Sequence, residues 1–365
     1  MSVTNALMRR GTELAVTHMS SDKPEYQQAN GGLLALLGIT AVLLAVAFWS
    51  IEYTYGMVVA TLAVVEDTNP DIYVRITSDI DPIKPANGQE DPELVASTPA
   101  KPITSKLRTT VKHLRSRAGF WSRFRGVGMF FAYNFVRGFF ASFFPTSYLV
   151  QFIVQAALGV LLATWQMAWV HIVISEPSPK RFYQRIPSYK TWSKIAPAAI
   201  LHEVLTTLAF FLPMSIVTSA GWLKVPADQD APSMVALCRF MGVSVFPAIL
   251  ACVLSIPPRV IFIRVAASML PEEDETIVPF DRSFGGKVSP EITGGSGRIG
   301  LMDAWATFDL PARVRLAKVI GKTFAMQVAL AIFSAIVLGV QVFFLVKTAK
   351  PVDPNAPGTI QIGLE

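Results

Sequence analysis

The sequence predicts an all-α integral membrane protein with six transmembrane helices in three similar pairs, joined by loops that contain amphipathic helices. Of its 365 residues, 52% are hydrophobic and only 16% are charged, whereas a soluble globular domain is about one quarter charged. The mean hydropathy is +0.44, and several apolar runs reach the length of about 20 residues that a helix needs to cross a bilayer. The composition therefore indicates a membrane protein.

Apolar stretches define the spans. Five of them are long enough to cross without difficulty: 33–51, 147–175, 195–221, 235–257 and 320–346. A sixth, 127–145, is apolar but contains Asn134 and Arg137, and only a tight turn fits between it and the next helix. The pair Pro257–Pro258 predicts a kink, because proline removes a helical hydrogen bond and its ring clashes with the preceding turn.

The distribution of Lys and Arg predicts the orientation. With six spans, the loops 66–125, 176–194 and 258–318 lie on one side and contain 23 Lys and Arg, whereas the other side has 6. Loops rich in Lys and Arg stay on the cytosolic side. We therefore expect these loops in the cytosol or the mitochondrial matrix, with both termini on the opposite side.

The first long loop divides into two parts of opposite charge. Residues 66–100 are rich in acids, Pro, Asn and Gly and are predicted to be mostly irregular and solvated, whereas 101–125 contain eight Lys and Arg and no acid. Apolar residues recur there at helical spacing: Leu107, Val111, Leu114, Ala118 and Trp121. Basic residues occupy the opposite face: Arg108, Lys112, Arg115 and Arg117. Such a helix suits the surface of a bilayer with anionic lipids; alternatively, its apolar stripe packs on the other loops.

Ionisable residues inside the predicted spans are the candidates for function, because burying each costs several kcal/mol unless it is paired or hydrated. These residues are Arg137, His171, His202, Glu203 and Arg239. We expect Arg137 to pair with Glu203 in the interior of the bundle, with a histidine nearby. Such a pair is either part of a substrate or proton site, or a contact that holds two helices together.

Motifs for catalysis or cofactor binding do not occur in a fitting context. The sequence lacks the ligand spacing of a zinc site, a phosphate-binding loop and a nucleophile elbow. We therefore expect no metal, no cofactor and no nucleic-acid partner; the expected partners are the lipid bilayer, anionic lipids and a small-molecule solute. A membrane enzyme with dispersed catalytic residues is a further alternative.

A pattern of long helix, loop and second helix occurs three times. Similar runs precede each second helix, namely WSRFRG at 121–126, WSKI at 192–195 and WATF at 305–308. Together with GFWSRFRG at 119–126 and PPRVIFIRV at 257–265, this layout resembles the mitochondrial carrier family. The resemblance implies repeats at 33–146, 147–221 and 222–347, with terminal tails at 1–32 and 348–365.

The resemblance also implies a function. A carrier would move a small, anionic metabolite across a mitochondrial membrane. In the family's signature an acid follows the proline, but Arg259 stands at that place here, and only Arg264 matches a gate residue in register. The alternative is a non-transporting scaffold, receptor or assembly factor, and the alternative location is an endomembrane or the plasma membrane. Segments 103–114 and 278–288 also resemble fungal multi-pass membrane proteins of unassigned activity.

Overall fold

The structure is a computed structural model that describes residues 27–28, 31–67, 102–219, 221, 234–289, 294–348 and 350–351. For residues 27–28, 148, 234–249 and 350–351 it describes the backbone alone. The described part of the chain is helical almost throughout and includes several long apolar helices, which confirms the all-helical fold class. The acidic residues between 68 and 100 and the two tails lie largely outside these ranges.

The first helices follow the chain from Gly31 to Ala141. In chain order they are α1 (Gly31–Ile51), a π-helix (Glu52–Val59), α2 (Ala60–Val65), α3 (Leu107–Ala118) and α4 (Val127–Ala141). Between α3 and α4 the chain makes a 3₁₀ turn at Phe120–Phe124. Gly119 and Gly126 flank this turn with φ of 77° and 72°, a region that side chains with a Cβ rarely adopt.

The remaining helices contain the larger apolar runs. They are α5 (Tyr148–Leu161), α6 (Ala163–Ile174), α7 (Trp192–Ser219), α8 (Met234–Ser268), α9 (Leu301–Ala306) and α10 (Leu310–Thr348). The stretch 147–175, predicted as one span, forms two helices, because α5 and α6 meet at Leu162 with a bend of 59°. By contrast, α8 continues as one helix from Met234 to Ser268 through the pair Pro257–Pro258.

Four helical stretches among the described residues are long and apolar enough to cross a membrane: Gly31–Val65, Tyr189–Ser219, Leu250–Ser268 and Leu310–Thr348. The bent pair of α5 and α6 adds a fifth if it counts as one span. The stretch predicted as a sixth span forms α4, whose 15 residues extend about 22 Å, short of a hydrocarbon core of about 30 Å. The arrangement of six spans in three pairs is therefore not confirmed.

The chain divides into two compact units. The first comprises residues up to Trp49 together with those from Gln327 onward. Within it, Gln341 Nε2 donates a hydrogen bond of 2.9 Å to Thr40 Oγ1, which links α1 to α10. Residues Gln27–Gln28 pair with Lys350–Pro351 in a short antiparallel ladder. Most of the large apolar side chains in this unit are exposed, as expected of helices that face lipid.

The second unit, Ser50–Met326, contains most of the buried core. At its loop side, Glu66 is almost fully buried and accepts hydrogen bonds from Ile103 N (2.6 Å), Thr104 N (3.0 Å) and Thr104 Oγ1. Arg315 Nη2 donates to the carbonyl oxygen of Glu66 at 2.7 Å. Glu66 is therefore an exception to the mostly solvated segment predicted for 66–100, and it anchors α3 and α10 to the end of α2.

Helix α3 packs its apolar stripe against the protein. The Leu114 side chain is fully buried, and His113 Nε2 lies 2.8 Å from Ile277 O. Four basic side chains are exposed on the other face: Arg108, Lys112, Arg115 and Arg117. Trp121, expected to continue the stripe, is 72% exposed because Gly119 ends the helix before it. Helix α3 therefore contacts the protein through Leu114 and leaves its basic face exposed.

Arg125 fixes the start of α4 to the end of α6. Its guanidinium donates to Ile172 O at 2.9 Å and to Ser175 O. Burial, and to a lesser extent the nearby Arg185, lower the pKa of Arg125 to about 10 against the opposing effect of Glu176, so the group stays charged at neutral pH. This cation neutralises the carbonyl dipoles at a helix C-terminus, which is a favourable position for it.

Candidate functional site

A cavity of about 400 Å³ lies inside the Ser50–Met326 unit. Small-molecule sites are typically about 300–1,000 Å³, so this cavity is large enough to hold a small molecule. The cavity is lined by side chains of the π-helix and of α4 to α8: Met57, Phe130, Tyr133, Asn134, Arg137, Gln155, Gln166, Trp169, Val170, His202, Glu203, Thr206, Thr207, Phe210, Phe211, Arg259, Phe262 and Ile263. Three of the five candidate residues are among them.

Helical periodicity brings these residues to one face of each helix. Tyr133 and Arg137 are four residues apart on α4, and residues 202, 203, 206, 207, 210 and 211 follow the same spacing on α7. Side chains three and four positions apart lie on the same side of a helix. Both α4 and α7 therefore contribute polar and apolar side chains to the cavity wall.

Arg137 and Glu203 form an ion pair at the polar end of the cavity. Arg137 Nη2 lies 3.0 Å from Glu203 Oε2. The guanidinium also donates to Gln155 Oε1 (2.7 Å), Gln155 O (3.0 Å) and the Tyr133 hydroxyl oxygen (2.8 Å). An ion pair taken out of water is tolerated only when further hydrogen bonds satisfy its remaining donors and acceptors. Here the Arg137 guanidinium makes three hydrogen bonds in addition to the ion pair.

The carboxylate of Glu203 is the more deeply buried partner. Glu203 is 4% exposed, and its Oε1 accepts a hydrogen bond from Gln166 Nε2. Gly159 on α5 permits this position, since a Cβ built on Gly159 would lie 2.2 Å from the Glu203 carboxyl carbon. No side chain larger than hydrogen fits there without displacing the acid. The approach of α5 to α7 therefore depends on this glycine.

The bend at Leu162 separates the two glutamines of the site. Gln155 lies on α5 before the bend and Gln166 on α6 after it. A break in a helix frees backbone groups, which need partners inside an apolar bundle; Trp192 Nε1 donates to one of the carbonyl oxygens near the break, Val160 O, at 2.9 Å. Broken helices that line a polar cavity are a recurring arrangement in transport proteins.

A second cation of the cavity, Arg259, contacts the π-helix. Arg259 Nη2 donates to Gly56 O at 2.8 Å and lies 3.5 Å from Met57 Sδ. A π-helical segment disturbs the regular ladder of hydrogen bonds and is often found at functional sites. Elsewhere in the cavity lining, the His202 ring stacks on Phe262 with 5.5 Å between the ring centroids.

The other candidates lie elsewhere. His171 is buried, and its Nε2 lies 2.8 Å from Ala266 O, outside the cavity. Arg264, expected as a gate, donates to Val64 O (3.1 Å) and Thr307 Oγ1 (2.9 Å) and lies over the rings of Phe284 and Phe308. It therefore holds α2, α8 and α9 together. The backbone of Arg239 is in α8, but its side chain is outside the described residues.

Sequence reasoning missed several residues of the site. Tyr133, Gln155 and Gln166 complete the network around the ion pair. Arg259, which stands where the carrier signature has an acid, also lines the cavity. The available signal was polarity within apolar runs: Gln155 and Gln166 are 11 positions apart, about three helical turns. An uncharged amide in an apolar run is a weaker signal of function than a charged side chain, although burying it without a hydrogen-bond partner also costs free energy.

Comparisons with protein-family models, characterised proteins and solved structures find no match to this chain.

Proposed function

We propose that this chain is a membrane transport protein that binds a small solute in the cavity bordered by Arg137 and Glu203. The observation that supports this most is the position of the ion pair beside open space. A pair that only joined two helices would be closed off by packing, but Arg137 keeps 21% of its side chain exposed next to the cavity. Ionisable groups among apolar helices commonly mark substrate or ion pathways.

The helix break supports the same function. Gln155 and Gln166 lie on the two sides of the bend at Leu162, and both take part in the hydrogen bonds of the pair. Because α5 and α6 are separate segments, one can change its angle to the other without unfolding a helix. Movement of one segment would change the hydrogen bonds of Arg137 and Glu203. The angle between α5 and α6 is therefore coupled to the arrangement of the ion pair beside the cavity.

The membrane and its location are part of the proposal. The long apolar helices α1, α7, α8 and α10 are compatible with an integral membrane protein. We place the basic loops on the cytosolic or matrix side. The resemblance to mitochondrial carriers supports a mitochondrial membrane and six spans in three pairs. An endomembrane or the plasma membrane is the alternative.

A second candidate function is a scaffold or receptor on the loop side. The observation that favours it is the exposed basic face of α3, which is available to an acidic partner or lipid surface. Transport and this role use different parts of the molecule, so we expect variants in one part to leave the activity of the other part unchanged.

Transport through the cavity is tested by filling it. Thr206 lines the cavity on α7, whereas its neighbour Leu205 is 39% exposed and does not. We expect that Thr206→Phe abolishes saturable uptake of solutes into proteoliposomes, because the ring occupies the binding space. The matched control Leu205→Phe should keep wild-type uptake. A panel of neutral, anionic and cationic small solutes is used for the assay.

Two outcomes would contradict the proposal. One is a wild-type protein that takes up no solute of the panel faster than empty liposomes do. The other is a Thr206→Phe variant with the same uptake as Leu205→Phe. Melting curves of both variants in detergent verify that any loss comes from the filled cavity and not from unfolding.

A further inference from the structure

The cavity bordered by Arg137 and Glu203 reaches the surface of the Ser50–Met326 unit at two helices. Of the described residues that line it, Asn134 on α4 and Phe210 on α7 are exposed, whereas the others are buried or half-buried. Helix α4 packs on α5 and α6, and α7 packs chiefly on α5 and α8. The cavity therefore opens beside α4 and α7.

The surface around this opening is apolar. Phe131 and Phe135 are exposed next to it on α4, and Leu208 and Leu212 are exposed next to it on α7. Exposing such side chains to water is unfavourable, whereas the acyl chains of a bilayer accommodate them. The opening therefore suits entry from the hydrocarbon of the membrane.

The charges that the cavity presents to a ligand are positive. Arg137 has 21% of its side chain exposed, whereas Glu203 has 5%. Both carboxylate oxygens of Glu203 accept hydrogen bonds, one from Arg137 and the other from Gln166. Arg259, a half-buried cation, also lines the cavity, whereas its electrostatic partner Glu52 is not among the described lining residues. A ligand therefore meets guanidinium groups, and the acid beside them is covered.

Arg137 retains capacity for one more hydrogen bond. A guanidinium has five N–H donors. Nε donates to Gln155 Oε1, Nη1 to the Tyr133 hydroxyl oxygen, and Nη2 to Gln155 O and Glu203 Oε2. These four bonds leave one hydrogen of Nη1 without a partner among the described residues. Because a hydrogen bond between two charged groups is about twice as strong as one between neutral groups, an anionic acceptor matches this donor best.

The rest of the cavity suits a hydrocarbon chain. The two guanidinium groups lie in one part of it, since both act electrostatically on His202. Most of the other walls are apolar and include Phe130, Phe211, Phe262 and Ile263. The volume of about 400 Å³ is in the lower part of the range for drug-sized ligands, which suits one chain.

We propose that the cavity admits its ligand sideways from the bilayer, between α4 and α7, and that this ligand is a single-chain amphiphile with a carboxylate head. The carboxylate lies against the exposed part of the Arg137 guanidinium, and the hydrocarbon chain lies among the phenylalanines and extends toward the opening. This inference rests on the proposed function, since it names the substrate class of the same cavity and its route of entry.

The test uses four photoreactive probes with the same diazirine-bearing dodecyl chain and different heads: a carboxylate, its methyl ester, an alcohol and an ammonium. The full-length protein is reconstituted in phosphatidylcholine nanodiscs, the probe is added to the lipid, and labelled peptides are mapped by mass spectrometry. We expect the carboxylate to label α4 and α7 at the cavity and unlabelled dodecanoate to compete. The ester keeps an acceptor but loses the charge, so its apparent affinity should be about tenfold weaker. Acetate, which has the head without the chain, should not compete at the same concentration.

A first pair of variants tests the route of entry. Asn134→Trp places a large ring at the opening and should reduce cavity labelling by the carboxylate probe about tenfold or more. The matched control Phe135→Trp lies next to it on α4, is exposed and does not line the cavity, so its labelling should equal that of the wild type.

A second pair tests the head. The double variant Arg137→Gln with Glu203→Gln removes both charges together and should erase the preference for the carboxylate over the ester. The control is the same double change at the exposed ion pair Arg117–Glu176, which lies outside the cavity and should retain the preference. If the double variant in the cavity does not fold, as judged by its melting curve, the four probes on the wild-type protein decide the head.

The outcomes separate this inference from the proposed function. Cavity labelling that is equal for carboxylate and ester, or strongest with the alcohol or the ammonium, overturns the carboxylate head but supports a solute site. Competition by acetate as strong as that by dodecanoate, or equal labelling of Asn134→Trp and Phe135→Trp, overturns entry from the bilayer and leaves a water-soluble solute. Absence of cavity labelling by all four probes, together with no uptake of any solute into proteoliposomes, overturns both.

Discussion

Gly159 is the residue on which the Arg137–Glu203 pair depends most directly. The carboxyl group of Glu203 occupies the space where a side chain of Gly159 would be. The pair is also supported by Gln155, Gln166 and Tyr133, so any shift of the acid disturbs several hydrogen bonds. Breaking the pair lowers the free energy of unfolding by more than the net amount that the pair contributes to stability, because each ion is then left buried without its counter-charge.

We expect Gly159→Ala to destabilise the protein by displacing Glu203. If the pair is broken, the loss is about 3–5 kcal/mol, measured as a lower Tm in detergent. The control is Gly138→Ala on α4, where nothing lies within 4 Å of the added Cβ. In a helix this change is worth up to about 1 kcal/mol in favour of Ala, so its Tm should be unchanged or higher. Equal melting of the two variants would show that Glu203 is not where the structure has it.

At the scale of elements, α3 combines a buried face with an exposed basic one. Leu114 and Thr110 are fully buried against the protein, which orients the helix and directs its four basic side chains outward. Beyond its end, Phe120 and Trp121 are exposed, and Arg115 lies 4.7 Å from the centroid of the Phe120 ring. Exposed aromatic and basic residues together suit the headgroup region of a bilayer.

We expect this surface to select anionic lipids. A variant with four changes to Gln, at Arg108, Lys112, Arg115 and Arg117, should lose the enrichment of phosphatidylserine over phosphatidylcholine in lipid co-purified from mixed micelles. Each basic residue near such a surface contributes about 1 kcal/mol, and high salt should weaken the effect. The control has the same charge change at other exposed basic residues: Lys180, Arg181, Lys190 and Lys287. Equal enrichment in both variants would contradict a specific role of α3.

At the scale of the whole molecule, the number of spans determines where the termini lie. The excess of Lys and Arg in the three long loops, 23 against 6, requires an even number of crossings if these loops share one side. The described helices supply four, or five with the bent pair, and α4 is the element whose crossing decides between five and six.

We expect tags at both termini to face the same compartment and tags near residues 85 and 290 to face the other. The measurement is protease protection of tagged protein in sealed membranes, with the residence of the protein assigned by fractionation. Termini in opposite compartments would mean that α4 does not cross. Residence outside mitochondria would remove the support that the carrier resemblance gives to transport.

The sequence alone determined the helical class, the long apolar helices and the two faces of α3, because these follow from composition and from spacing along the chain. It also identified Arg137, His202 and Glu203, because charged or titratable groups are rare in apolar runs. These properties are local: each can be inferred from residues within one helix.

Only the tertiary structure decided which of these groups meet. Arg137 and Glu203 are 66 positions apart, and the apolar helices that carry them have no strongly polar face to fix their rotation. The bend at Leu162 and the space left by Gly159 direct Gln155, Gln166 and Glu203 to one cavity, while packing encloses His171 and Arg264 elsewhere. The physical reason is that periodicity specifies which residues share a face of a helix, whereas the packing of all the helices determines which faces come together.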